Sequence, residues 1–329
     1  MRISTNLINI SLTVGGLFMA GCAGNVTSQS GALTLPAASS VAGPSVAQRL
    51  KPRAAMPILV TLDLTTGDLE GWPIRAGSNG SPQPISPSLG VYSGYGMAAN
   101  GNVVAIANST PAQVVTFDVT TSAKRVLPDP FGQPFDIAIG RSGSLFALDI
   151  NGVTAYRIPG VQPARLTCSY VNSGVAIAVD DENDVFVNGY GPNGFMGVVE
   201  YPFGKRTCAP LHLRAEKGYI AGVGVDPKTD DLIVVDDPDL CAGGLEGRMI
   251  VYPKPYDPKT GRFHNLKSNY CAGTVRLDAQ SRNIFVADST ISAGFPLIDQ
   301  LTYPGSRAVA VYSGGSFGGF TTIPNTLPN

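Results

Sequence analysis

Gly174-Val-Ala-Ile-Ala-Val-Asp180, then Asp184-Val-Phe-Val-Asn188, then Gly197-Val-Val-Glu-Tyr201: these three short runs, read in order, decide the fold of this chain. The first two are almost continuously apolar rather than alternating, as expected of strands buried on both faces. The turn between them carries Asp and Asn, which a tight backbone reversal favours. The same order returns as Gly222-Val-Gly-Val-Asp226, Asp231-Leu-Ile-Val-Val-Asp236 and Arg248-Met-Ile-Val-Tyr252. It returns again as Gly273-Thr-Val-Arg-Leu-Asp278, Asn283-Ile-Phe-Val-Ala-Asp288 and Arg307-Ala-Val-Ala-Val-Tyr312. Two looser copies precede these. One runs through Gly96-Met97-Ala98, Val103 to Asn108 and Val114 to Phe117, the other through Phe135 to Ile139, Ser144 to Asp149 and Gly152 to Tyr156.

Each copy supplies an inner strand, a turn, a buried second strand, a loop and a third strand. A weaker fourth follows, such as Lys124-Arg-Val-Leu127 or Ala164-Arg-Leu-Thr167. A repeat of roughly 40 to 50 residues with this content is the spacing of propeller blades. The reading is therefore all-β: a six-bladed β-propeller over 56–329, its last blade closed by both chain ends. Ile58-Leu-Val-Thr-Leu-Asp63 and Leu69-Glu-Gly-Trp72 read as the third and fourth strands of that shared blade, with its first two strands not visible. Gly314-Gly315 and Gly318-Gly319 read as turns. Trp72 reads as packing between blades.

The copies resemble the NHL and YncE-like propellers and, more loosely, the senescence-marker/gluconolactonase-like group, over residues 57–329. The resemblance implies architecture rather than activity, because propellers host binding and catalysis alike. In the lactonase-like relatives a Glu, Asn and Asp set holds a divalent metal near the start of the inner strands. The matching positions here are Gly96, Asp136, Gly174, Gly222 and Gly273, so only Asp136 offers a ligand, and the Asn-Gly-Leu-type motif is absent.

Composition agrees with many short strands. Gly (39) and Pro (26) together make up about a fifth of the 329 residues, against about 12% on average. Only 14% of residues are charged and the formal net charge is -1, which gives no electrostatic case for nucleic acid.

The N-terminus reads as a targeting segment. Arg2 precedes an apolar run from Leu7 to Met19, and Phe18-Met19-Ala20-Gly21-Cys22 has the form of a bacterial lipobox. Residues 1–21 are the expected lipoprotein signal peptide, with Cys22 accepting the acyl chains that anchor the mature chain to a membrane. Residues 22–55 are rich in Ser, Ala, Gly, Pro, Thr and Gln and read as a lipidated disordered tether. The expected location is the bacterial cell envelope, with Ala23 after the cysteine favouring the outer membrane.

Four further cysteines, an even number, suggest two disulfides in an exported chain. Of three pairings, Cys241 with Cys271 and Cys168 with Cys208 is favoured. Cys168 and Cys208 both read as following a fourth strand, which raises the question whether adjacent blades bring them within about 7 Å. No C-x-x-C is present, which argues against zinc.

One column carries oxygen ligands: Asn108, Asp149, Asn188, Asp236 and Asp288 all stand at the end of a second strand. Gathered on one face they could form a polar ring for a cation such as Ca²⁺ or for a hydroxyl-rich ligand. As single residues they could instead cap the following loop, and this structural role is the favoured one. Asp180, Asp226 and Asp278 form a second column, at the first turn, and read as structural. Asp236-Asp237-Pro238-Asp239 reads as a solvated acidic loop. A Ser-His-Asp triad needs an inward histidine, and His212 and His264 both fall in outer segments.

No catalytic set emerges, so a non-enzymatic binding module in the envelope is the leading expectation. Its partner would be a protein or carbohydrate, and its contact surface the loops 189–196, 237–247 and 289–306, including Tyr190, Phe195, Phe295 and Pro296. The alternatives are a divalent-metal-dependent hydrolase or lactonase, and a structural or assembly lipoprotein.

Overall fold

The computed structural model describes residues 58–323 except 75–81, 157–161, 214–218, 239–244, 267, 268, 270, 289–296, 306 and 314–316. The expected signal peptide, Cys22 and the tether lie outside the described residues, as do Cys241, Phe295 and Pro296.

Six four-stranded antiparallel sheets make up a six-bladed β-propeller. The second blade is Gly94–Asn100, Val103–Asn108, Gln113–Asp118 and Lys124–Pro128. The third is Asp136–Ile139, Leu145–Asp149, Gly152–Tyr156 and Ala164–Leu166. The fourth is Ser173–Val179, Val185–Tyr190, Met196–Tyr201 and Ala209–Pro210, and the fifth Tyr219–Val225, Leu232–Asp237, Arg248–Tyr252 and Arg262–Asn265. The sixth is Ala272–Leu277, Asn283–Asp288, Leu297–Thr302 and Ala308–Ser313. The first blade joins the chain ends: Phe317–Ile323 is its inner strand, followed outward by Ile58–Asp63, Leu69–Pro73 and Gln83–Pro84.

The core is divided among the blade interfaces. Six apolar clusters each fill the gap between two neighbouring blades. This is why the second strands are apolar on both faces: Ile233 and Val235 pack toward the sixth blade while Leu232 and Val234 pack toward the fourth. The interface that closes the ring is the most aromatic. There Trp72 meets Tyr312 edge-on at 5.6 Å and gives its indole N–H to Thr61 Oγ1 at 3.0 Å. Trp72 therefore packs between blades, as its sequence context suggests.

Two strand readings change. Ile58–Asp63 and Leu69–Pro73 are the second and third strands of the first blade, not the third and fourth, because Gln83–Pro84 supplies the outer strand. Only one strand comes from the far end of the chain, and it contains Gly318-Gly319, which read as a turn. A Cβ at Gly318 would lie 2.1 Å from the Gly94 carbonyl oxygen, so the glycine is needed for close contact with the second blade. In the sixth blade the third strand is Leu297–Thr302, inside the stretch read as loop 289–306, and the Arg307–Tyr312 run is largely the fourth strand. Asp299 and Gln300 break the apolar run there, yet both are buried.

Alternating strand direction sorts the connections onto two faces. The turns from first to second strand lie on one, here called the turn face. The loops from second to third strand, and those from blade to blade, lie on the other, the loop face. The connection 189–196 belongs to the loop face, whereas 239–244 and 289–296 of the other two expected contact loops lie outside the described residues.

Candidate functional site

The inner strands surround a cavity of about 290 Å³ that opens on the turn face and is walled by small side chains such as Ala98, Ala138, Ala178 and Gly224. One charged group reaches across it. Arg276, from the sixth blade, gives Nη2–H to Asp136 Oδ1 of the third blade at 2.7 Å, and Nε–H to the Met97 carbonyl of the second at 2.9 Å. Asp136 Oδ2 accepts the Ile177 N–H of the fourth blade at 3.0 Å, and Oδ1 also accepts the Ile137 N–H at 2.9 Å. The ion pair thus ties four blades together across the channel. Both partners are shielded, with side-chain exposures of 12% and 4%. Gly96 makes room for it: a Cβ there would lie 2.3 Å from Asp136 Cα.

This arrangement bears directly on metal chemistry. The one inner-strand position that offered a ligand, Asp136, has its oxygens committed to a guanidinium and two backbone amides. A divalent cation at that point would face the Arg276 charge instead of a carboxylate cage.

The five column residues all stand at the loop-face end of second strands and all are buried. Each of the four with a described partner bonds nearby in sequence. Asn108 Oδ1 accepts Ser93 Oγ–H at 2.9 Å, and Asn188 Oδ1 accepts the Ala176 N–H at 2.7 Å, at a bulge in the inner strand. Asp149 is clamped by Arg165 of the same blade and accepts the Asn151 N–H at 2.7 Å. Asp236 receives two bonds from Arg248, at 2.8 and 2.6 Å. Asp288 is buried at the corresponding place. The side chains are brought to one face, but these four are turned into their own blades or the loop just before them. Of Tyr190 and Phe195, both half-buried, Phe195 packs near Tyr170 with ring centroids 6.3 Å apart.

On the turn face the second column caps its own turns, and Asp180 and Asp226 also bond side chains of the next blade. Asp180 Oδ1 accepts the N–H groups of Glu182 and Asp184. Asp278 caps its turn through the Arg282 N–H, and Asp226 accepts Ser281 Oγ–H from the next blade. Asn100 Nδ2 donates to the Gly140 carbonyl, Ser142 Oγ to Asn183 Oδ1, and Thr322 Oγ1 to the Leu277 carbonyl, each between neighbouring blades. Arg141 pairs with Asp181 at 3.0 Å. Burial together with the adjacent Asp181 pushes Asp230 up to about 6. Asp180, Glu182 and Asp184 come together as a group of acids, and the Lys254 ammonium lies among them, 3.2 Å from Asp180 and 2.8 Å from Glu182. A built-in cation therefore sits at this group.

One buried acid stands apart. Asp299, on the third strand of the sixth blade, accepts Asn269 Nδ2–H at 2.9 Å and is pushed up to about 7 by burial, with the Asp288 charge adding to the effect. The folded chain holds this proton up to about pH 7, whereas the unfolded chain releases it near pH 4. The contribution is present at low pH and is lost as pH rises between those values. Asp299→Asn is expected to remove that slope, which is at most about 1.4 kcal/mol per pH unit. Urea unfolding of both proteins at pH 5 and pH 8 checks it, and an unchanged difference between the two pH values would refute it.

The two faces differ in what they leave open. On the loop face Tyr92, Tyr95, Phe131, Ile150 and Tyr170 are exposed, with Tyr92 at 59% and Tyr95 at 58%. They form an arc over the second, third and fourth blades. Nothing in the sequence marks these aromatics as exposed, because exposure depends on which loop tops are covered by neighbours.

Solved β-propellers are what this fold resembles. A chain in a nidogen–laminin complex has a TM-score of 0.62 at 14% identity, covering 81% of this chain and 98% of that one. TolB from Acinetobacter baumannii has a TM-score of 0.61 at 14% identity, covering 83% and 67%. Virginiamycin B lyase from Staphylococcus aureus has a TM-score of 0.50 at 10% identity, covering 79% and 84%. No protein-family model matches the chain, and no curated protein matches it in sequence. At these identities the likeness extends to the propeller fold and not to activity.

The cysteines settle in part. Cys168 and Cys208 form a disulfide between the third and fourth blades, with Cα atoms 5.2 Å apart. They are not equivalent positions: Cys168 follows the third blade's outer strand, whereas Cys208 precedes that of the fourth. Beside them Thr167 and Thr207 form a parallel bridge, with the Thr167 N–H donating to the Arg206 carbonyl at 2.9 Å. Cys271 is also disulfide-bonded.

Proposed function

We propose that this chain is an exported, lipid-anchored β-propeller that acts as a non-enzymatic binding module in the cell envelope and meets its partner, a protein or carbohydrate, with the loop face. The observation that carries this reading is the asymmetry of the two faces. Polar groups on the turn face cap turns and join neighbouring blades, while the loop face exposes Tyr92, Tyr95, Tyr170 and Phe131. Aromatic side chains with a polar tip offer contact area at low entropic cost and suit both protein and sugar surfaces. The lipobox at Cys22 and the tether composition support display from a membrane.

Two measurements test the reading. Cys22→Ala is expected to move the chain from the membrane fraction to the soluble fraction, and continued membrane association would refute the anchor. A photo-crosslinking residue at position 95 or 170 is expected to give a discrete adduct in intact cells, while one at position 126 or 263, exposed on outer strands, gives none. Equal adducts at all four positions, or none at 95 and 170, would refute the loop-face contact.

A further inference from the structure

A second cavity, of about 590 Å³, lies between the outer parts of the third and fourth blades. Its size is within the range of small-molecule sites. It is remote from the central channel and shares only Phe131 with the aromatic arc.

Its chemistry is divided. Phe146, Tyr156, Leu166, Val185 and Tyr201 form its apolar floor, largely covered by blade packing, and Ala155, Pro163 and Ala164 add apolar wall. Phe131 and Phe203 stand at its edge, exposed by 43% and 62%. These two side chains extend the apolar surface that the cavity offers to a ligand. Lys205 and Arg206 add positive charge at the same edge and are exposed. Among the described residues neither forms an ion pair. The third cation in the lining, Arg165, is already neutralised by Asp149.

The rim is held in place by the fold. Pro202-Phe203-Gly204-Lys205 makes a tight turn closed by the Lys205 N–H on the Pro202 carbonyl at 2.9 Å, with Gly204 at φ +78°. The Phe203 N–H is fixed by Asp184 Oδ1 at 2.6 Å. The Cys168–Cys208 disulfide and the Thr167–Arg206 backbone bond fasten the other end of this segment to the third blade. A site so constrained loses little entropy on binding.

We propose that this interblade groove binds an amphiphilic organic anion, with the apolar body of the ligand in the cleft and its anionic head on Lys205 and Arg206. Two adjacent unpaired cations at one end of an apolar cleft complement a single head group on an apolar tail.

Dodecanoate is the probe, titrated calorimetrically into the full chain below its micelle concentration, with dodecan-1-ol as the uncharged control. One dodecanoate is expected to bind per chain, at least tenfold more tightly than the alcohol. Lys205→Glu combined with Arg206→Glu is expected to weaken dodecanoate at least tenfold without lowering the melting temperature, and Phe203→Ser to weaken both probes. Lys259→Glu, an exposed cation on another blade, is expected to change nothing. The proposal is overturned by no dodecanoate binding, by equal binding of the alcohol, by an equal loss in Lys259→Glu, or by binding to anionic phospholipid vesicles alone. None of these outcomes depends on the loop face or on Cys22.

Discussion

Arg276→Ala is expected to lower the unfolding free energy by about 3–5 kcal/mol, the cost of leaving one half of a buried ion pair without its partner. The reason lies in what the guanidinium reaches. It donates to Asp136, to the Met97 and Val275 carbonyls and, at 3.4 Å, to the Ile137 carbonyl. Alanine would leave the Asp136 carboxylate in the channel without its cation and two carbonyls of other blades without a donor. Arg276→Lys should recover only part of the loss, because one ammonium cannot reproduce the planar fork that meets these acceptors together. Replacing both partners, as Asp136→Asn with Arg276→Met, should be less damaging than Arg276→Ala, since the new side-chain amide could still accept the Ile177 N–H and no charge would be stranded. Urea-unfolding midpoints for the four proteins provide the check. A loss below about 1 kcal/mol in Arg276→Ala would mean that water or a neighbour replaces the arginine and that the pair is no strut.

Deleting residues 317–329 is expected to abolish the cooperative unfolding transition altogether. The deletion removes the inner strand of the first blade, Phe317–Ile323, which pairs with Ile58–Asp63 along its length. Phe320 and Ile323 are buried, each contributing about 1.5–3 kcal/mol of apolar burial. Their loss would also uncover Leu59, Val60 and Leu62 and leave a row of buried backbone groups without partners. Together these exceed a typical net stability of about 5–15 kcal/mol. The near-ultraviolet signal of Trp72, which packs on Tyr312 and Phe317, should be lost as well. Ending the chain after Ile323 instead should preserve both signals. A shortened chain that kept the wild-type midpoint would show that ring closure is dispensable.

Much of this architecture could be read from the repeats, because the constraint is local. A strand enclosed by two neighbouring blades must be apolar on both faces, and runs such as Val185-Phe-Val187 and Leu232-Ile-Val-Val235 carry that demand openly. The closing strand could not be read in the same way. Phe317-Gly-Gly-Phe320 has the composition of a turn, and its glycines are explained only by the second blade, where Gly318 lies against Gly94 and Gly319 against Met97 and Tyr95. Leu297–Thr302 escaped for a related reason: Asp299 and Gln300 look like loop residues until Asn269, Asn283 and Tyr312 are seen bonding them. The cysteine pairing was visible as a pattern, while its feasibility depended on the offset between Cys168 and Cys208 along their strands.

The candidate site divides similarly. The column of Asn108, Asp149, Asn188, Asp236 and Asp288 was evident from the alignment of copies, but not the direction in which each side chain points. That was decided by Arg165, Arg248, Ser93 and the bulge near Ala176, partners no repeat pattern specifies. Arg276 carried a faint signal, a lone charge in the middle of an apolar inner strand. Its meaning appeared only with Asp136 opposite.

The sequence by itself determined that blades form and, for the second to sixth blades, roughly where each begins and which strands lie innermost, since period and two-sided burial are properties of neighbouring residues. The tertiary structure alone decided how the ring closes, that Asp136 serves an arginine, and where aromatic and cationic side chains stay open to solvent. Those features join residues as far apart as Met97 and Arg276, and their energies depend on distance in space, which the order of residues along a chain does not encode.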